Sequence, residues 1–301
     1  MIRPPFPRPR PYPTPKPSRL PRRRQVTIAI QLDAGNFSHV TASDTQVTYE
    51  GIGAKADIGK IRSAMRAKPL GAINVVGAGD TSYITALSQE IIKVFQKFSG
   101  TADQLEGRTK KTVKDFYKAE VLPFVGKFKD RNVPDYSLLI AARHKSETKL
   151  WNVDGNLFTI SESPFDCIGI GESVATALLS RLYPMHCTLD SAAILAAYVI
   201  YRVKSSVDGC GLKTEIRFIH QDKVGFVPND RVEKWEGLFQ KYDRIERQVF
   251  YHAMNFVFHP AIPDFVAKEL KGQITPQMKP LPELVKHIEA MREDFAKHTI
   301  F

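Results

Sequence analysis

Strand-forming segments in this chain come as hairpins, and helix-forming segments come in pairs. Thr27 to Leu32 places Ile28, Ile30 and Leu32 on one face and Ala29 and Gln31 on the other, the alternation of a half-buried strand. Asp33-Ala-Gly-Asn36 supplies turn chemistry, and Phe37 to Ala42 completes a hairpin. Ala72 to Val76 is a short apolar strand. Thr81 to Phe98 then carries Tyr83, Ile84, Leu87, Ile91, Val94 and Phe95 at helical spacing. Residues 101–132 are polar and Lys-rich, with Val113, Phe116, Tyr117 and Val121 again helical. Tyr136 to Arg143 and Lys149 to Val153 flank a polar turn, Asp154-Gly155 makes the next one, and Phe165 to Ile170 is a short strand ending at Gly171. Two apolar helices follow, Glu172 to Tyr183 and Leu189 to Val203. Leu212 to Ile219 pairs with Lys223 to Val227.

Hairpins mean antiparallel sheets, and helices arriving in pairs cover the outer faces of those sheets. The layer order that buries every apolar face is helix, sheet, sheet, helix. The expectation is an α+β chain with a four-layer α/β/β/α sandwich over residues 26–227. Residues 228–301 read as a helical C-terminal extension. Val232, Trp235, Leu238, Phe239, Tyr242 and Ile245 form its apolar stripe, and prolines from Pro260 onward break it.

Charge is concentrated at one end. Residues 1–24 hold nine Pro, seven Arg and one Lys and no acid, so the tail carries +8 of the net +11. A Pro-dense segment samples extended polyproline II and has too little apolar content to fold alone. Residues 1–25 are expected to be a disordered tail, a propeptide, or an arm for an acidic or Pro-binding partner. The remaining body is nearly neutral, so nucleic acid is an expected partner only through the tail. No apolar run spans a bilayer. Three widely spaced cysteines suit a reducing cytoplasm better than a disulfide scaffold. The eight His show no metal-ligand spacing, and neither a metal nor a cofactor is expected.

The residues with chemical potential are Thr27 at the head of the first strand, Asp44 after the second, and Lys60 sixteen residues further on. Val76-Gly-Ala-Gly-Asp-Thr-Ser-Tyr83 then leads into the first helix. A threonine hydroxyl is a weak nucleophile and needs a base beside it. The residues alone leave each role open. Thr27 fits a strand as a β-branched residue, and Gly77 and Gly79 fit a tight strand-to-helix turn.

Five segments in order resemble proteasome β-type subunits and their bacterial relatives. They are Thr27 to Lys60, Tyr136-Ser-Leu-Leu-Ile-Ala141, Trp151-Asn-Val-Asp-Gly155, Cys167-Ile-Gly-Ile-Gly171 with Val174-Ala175, and Leu189-Asp190 with Ala192-Ala193. The resemblance implies a sandwich of the N-terminal-nucleophile hydrolase type, assembly in rings, and a self-processing threonine-type endopeptidase acting on peptide bonds. It implies that Thr27 is the nucleophile, with its own α-amine as base after cleavage of the Val26–Thr27 bond. Lys60 tunes that amine, Asp44 orients Lys60, and the Gly77 N–H receives the oxyanion.

The chain departs from the family pattern at three places. Matching the apolar alternation of the first strand puts Gln25 or Val26 at the nucleophile position; one extra residue in the Asp33–Phe37 loop puts Thr27 there. A supporting serine is replaced by Ile170, and Val207-Asp208-Gly209-Cys210-Gly211 lacks the expected aspartate and serine. The alternative is therefore a non-catalytic proteasome-like scaffold or binding subunit. Self-association is expected under both, because the two apolar helices carry more hydrophobic surface than one sheet face covers.

Overall fold

The computed structural model describes residues 27–49, 54–67, 70–127 and 133–258. The expected tail at residues 1–25, Val26 at the expected start of the sandwich, and residues 259–301 of the expected extension lie outside the described residues.

The first hairpin joins β1 (Ile28–Asp33) to β2 (His39–Asp44). Gly35, Asn36 and Phe37 all take positive φ between them. Asp33 closes the turn by accepting the Gly35 N–H at 3.1 Å. This corrects the expected start of the second strand. Phe37 is left-handed and exposed, so pairing begins at His39.

β3 (Gln46–Tyr49) and β4 (Ala54–Asp57) form a separate small hairpin. β5 (Arg62–Ala67) pairs with β6 (Leu70–Gly79), β6 with β7 (Tyr136–His144), β7 with β8 (Glu147–Asp154), and β8 with β9 (Leu157–Ile160). β10 (Phe165–Gly169) returns to β1, and β11 (Thr214–His220) lies between β2 and β12 (Lys223–Phe226). The result is two five-stranded antiparallel sheets, in the orders β10-β1-β2-β11-β12 and β5-β6-β7-β8-β9.

Helix starts are written in the sequence. Asp80 caps α1 (Thr81–Lys97) by accepting the Ser82 N–H. Thr101 and Gln104 form a reciprocal capping box on α2 (Ala102–Phe116). A π-helical turn at Tyr117–Val121 leads into α3 (Leu122–Lys127). α4 is Glu172–Leu182, α5 is Leu189–Ser206 with Thr188 as its cap, and α6 is Asn229–Phe258.

Two large cores and two small ones follow. Ile84, Leu87, Ile91 and Phe95 of α1, with Leu105 and Val113 of α2, pack on Ile73, Leu138, Ile140 and Trp151 of the β6–β8 side. Ala175 and Leu179 of α4, with Ala193, Ala196, Ile200 and Val203 of α5, pack on Ile28, Ile30, Val40 and Ile216. Ala29 and Ile168 of one sheet meet Val76, Ala78 and Leu139 of the other. Ile219 meets Ala72, Ala141 and Leu150 in the same way. β1 is therefore buried on both faces, where sequence alternation predicts one buried face. The second sheet covers Ala29 and Gln31.

α6 changes how α5 is covered. Val232 and Trp235 belong to the same core as β1 and α5. Phe239 meets Tyr198 edge-to-face and packs at a tilt on Tyr201, and Arg202 pairs with Asp243 at 2.9 Å. Part of the apolar surface of α5 is thus covered inside the chain.

The inward face of β2 is polar and buried: His39, Thr41 and Ser43. Burial pushes the His39 imidazole down to about 4, with the Asp33 carboxylate 3.9 Å away opposing and the Arg143 guanidinium reinforcing. A lowered pKa on a basic group means that the unfolded chain binds the extra proton first. Stability should therefore fall as pH drops from 6.5 toward 4, by about 3 kcal/mol from this group. Urea titrations across that window should show the step in the wild type and flatten it in His39→Gln.

Candidate active site

Three chain segments converge at one end of the first sheet. Thr27 immediately precedes β1, Asp44 ends β2, and Lys60 sits in the segment 58–61 between β4 and β5, which belongs to no strand. β1 and β2 are neighbours in register, so the head of one strand faces the end of the other.

The Thr27 hydroxyl donates to Asp44 Oδ1 at 2.8 Å. Lys60 Nζ donates to the same Asp44 oxygen at 2.7 Å and also to Thr27 Oγ1. Asp44 Oδ1 further accepts the Ile28 N–H at 3.2 Å, and Oδ2 accepts the Gly211 N–H at 3.0 Å. Thr27 and Asp44 are buried and Lys60 nearly so; the side chains of the ion pair are 9% and 0% exposed.

Burial lowers the proton affinity of Lys60 below its ordinary value, and Asp44 opposes that shift. Cys210 lies in the same field. Burial first, and the Asp44 charge second, push its thiol up to about 12, with Lys60 acting the other way. Cys210 is thus a protonated thiol near neutral pH.

Two backbone devices hold the cluster. The 207–213 loop is clipped to the β2–β3 junction. Thr45 N donates to Lys213 O at 2.9 Å, Lys213 N donates to Thr45 Oγ1 at 3.0 Å, and the Gln46 amide donates to Gly209 O at 2.8 Å. That clip presents the Gly211 N–H to Asp44. Gly169, at the end of β10, has φ +104°, and a Cβ there would stand 2.2 Å from Thr27 O. Only glycine allows β10 to pass this close to the head of β1.

Thr27, Asp44 and Lys60 are brought together. Gly77 stands on β6 opposite Leu138. A Cβ at this position would overlap Ile84 and Leu138, so packing of α1 on β6 suffices to require glycine. Ile170 and Val207, where the family places hydroxyl and carboxyl groups, are packed against the core of the first sheet. Gly211, Gly169 and Glu215 carry contacts to the cluster that sequence reasoning misses. The first two lie in motifs with a visible glycine. Glu215 lies 155 residues from its partner Lys60 and has no local signal. Among the described residues no group of His, Cys, Asp and Glu is arranged to hold a metal ion.

Solved structures with a similar fold include Anbu proteins. Anbu from Hyphomicrobium sp. strain MC1 aligns with a TM-score of 0.58 and 18% identity, covering 75% of this chain and 97% of that one. Anbu from Yersinia bercovieri, described as an ancestral β-subunit, gives 0.56 and 13%, covering 79% and 98%. The Anbu complex of Pseudomonas aeruginosa, solved as a helical assembly, gives 0.59 and 14%, covering 73% and 96%. At these identities the likeness concerns the fold, and this chain has a proteasome-like fold of mixed α and β structure with antiparallel sheets. No protein-family model and no curated protein matches the sequence. No helix among the described residues is long and apolar enough to cross a membrane.

Removing one partner of a buried ion pair leaves the other charge uncompensated. Lys60→Met should destabilise the protein by about 3–5 kcal/mol. Adding Asp44→Asn to that variant should recover part of the loss, as read by urea denaturation.

Proposed function

We propose that this chain is a proteasome-like subunit in which Thr27 is the nucleophile of a threonine-type peptidase. The observation that carries this is the shared contact of the Thr27 hydroxyl with the Lys60 ammonium and the Asp44 carboxylate. A merely structural threonine at a strand head has no need of a buried lysine on its oxygen.

The proposed chemistry has two stages. In self-processing, Thr27 Oγ1 attacks the Val26 carbonyl carbon and the peptide C–N bond breaks, which leaves an ester on Oγ1 and a free amine on Thr27. Water then hydrolyses the ester. In turnover, Oγ1 attacks the scissile carbonyl of a peptide or protein substrate and its proton passes to the Thr27 amine, which gives it to the leaving amine. Water hydrolyses the acyl-enzyme. Lys60 keeps the local potential positive and lowers the proton affinity of the amine, while Asp44 holds Lys60. Gly77 is proposed as the oxyanion donor. In support, β5 pairs with β6 only as far as Val75, so the β6 edge beyond that point is paired only with β7.

The proposal extends to the architecture. Residues 26–227 form a four-layer α/β/β/α sandwich, with α1 and α2 on one outer face and α4 and α5 on the other; the two helix-containing cores and the two inter-sheet clusters support it. The expected C-terminal extension is represented by α6, docked on the first core through Val232 and Trp235; its remainder, 259–301, and the expected tail or propeptide, 1–25, lie outside the described residues. Assembly into a homo-oligomer is part of the proposal; the helical assembly of the similarly folded Pseudomonas aeruginosa Anbu complex supports it.

A non-catalytic proteasome-like scaffold is the alternative. It is favoured by Ile170 and Val207, which pack half-buried against the first core where the resembling family keeps polar groups.

Purified wild type should show an N-terminus at Thr27 and hydrolyse fluorogenic peptides. Thr27→Ala should keep its tail and lose at least about a thousandfold in kcat/KM. An uncut chain with equal background rates in both proteins would leave the scaffold.

A further inference from the structure

The lysine of the cluster is delivered by a segment that no sheet holds. Residues 58–61 lie between β4 and β5 without a ladder, and Lys60 reaches Asp44 through a long flexible stem. Something must fix its backbone, or the ammonium would sample positions well away from Thr27.

Two anchors are present. At one end the Ile58 N–H donates to Thr45 O at 2.9 Å. At the other, Glu215 Oε2 accepts the Lys60 N–H at 2.9 Å and the Ile61 N–H at 3.2 Å. The second oxygen of Glu215 accepts from Arg217 Nε and Nη2, both at 2.8 Å. Arg217 Nη1 donates to Ser63 Oγ at 3.2 Å, and Ser63 donates to Asn74 Oδ1 at 2.7 Å. The carboxylate is thus braced from β11 on one side and from β5 and β6 of the other sheet on the other. Gly59 adds to the fit, since a Cβ there would stand 3.2 Å from Glu215 Oε2. Glu215 neighbours Thr214, which pairs with Asp44 across β2 and β11. The same strand therefore sets the depth of both the carboxylate and the lysine backbone.

We propose that Glu215 is a positioning residue for Lys60, its carboxylate gripping two successive backbone N–H groups so that the ammonium is held on Thr27 and Asp44. The catalytic part of this role rests on Thr27 being the nucleophile; the grip on Lys60 does not. Charge-assisted bonds of this kind are roughly twice as strong as neutral ones. The Glu215 charge also favours the charged form of Lys60, so its loss acts on the lysine in two ways.

The test uses the full chain as wild type, Glu215→Ala, Glu215→Gln and Thr27→Ala. Peptide hydrolysis and Tm are measured on each. The Lys60 side chain is titrated by NMR on lysine-labelled protein, with its signal assigned through Lys60→Arg. Glu215→Ala should lose about ten- to a hundredfold in kcat, with KM within about twofold and a lower titration midpoint for Lys60. Glu215→Gln keeps a carbonyl oxygen for the two N–H groups and should lie between. A wild-type kcat and an unmoved Lys60 titration in Glu215→Ala would overturn the inference. So would a loss that follows Tm alone while the titration stays put. If wild type and Thr27→Ala hydrolyse peptides equally, the nucleophile assignment fails, and the Lys60 titration still decides the role of Glu215.

Discussion

Burying an ammonium and a carboxylate costs several kcal/mol per ion before any attraction is counted. The Lys60–Asp44 pair carries that cost at the end of the first sheet, and much of the surrounding structure compensates for it. Asp44 collects the Thr27 hydroxyl, the Ile28 and Gly211 N–H groups and the lysine, so its lone pairs are met on several sides. The 207–213 loop is clipped in place to deliver one of those donors, and Gly169 clears the way for Thr27. A buried pair is weak support for stability as such. Its position on a threonine oxygen is what gives it chemical meaning.

The rest of the fold supplies rigidity around that point. Two helix-containing cores lie against the two sheets, and clusters of small and branched residues tie one sheet to the other. α6 extends the first core through Val232 and Trp235 and covers the outer surface of α5. The excess apolar surface of α4 and α5 is then only a weak reason to expect a partner; among the described residues, the exposed large apolar side chains of this region include Leu182, Met185 and Tyr242.

Legibility in the sequence tracked how local the signal was. Asp80 and Thr101 announce helix starts within a few residues, and α1, α2, α4 and α5 stand close to where periodicity puts them. The first strand was visible in the alternation of Ile28, Ile30 and Leu32, yet its second buried face was not, because Ala29 and Gln31 are covered by strands distant in sequence. β3, β4 and β5 went unseen. They are short and polar, and Arg62-Ser-Ala-Met-Arg-Ala67 has no alternation to read. In the cluster, Thr27, Asp44 and Lys60 were legible through the family resemblance that their order carries. Glu215 and the Gly211 N–H were not, since each acts across more than 150 residues through contacts that no local pattern encodes. Gly77 was legible as a glycine, and packing against Ile84 and Leu138 already explains it.

Proposed catalysis depends on the Thr27 hydroxyl being activated by its own α-amine, whose proton affinity the Lys60 ammonium lowers. The most direct measurement is the mass of the protein after exposure to a β-lactone, which acylates an activated hydroxyl, with the adduct mapped by peptide mass spectrometry. The account predicts a single acyl group on Thr27 Oγ1 and its loss in Lys60→Arg, where a planar guanidinium replaces the compact ammonium. An unmodified Thr27, or the same low labelling of Thr27 with and without Lys60, would contradict it.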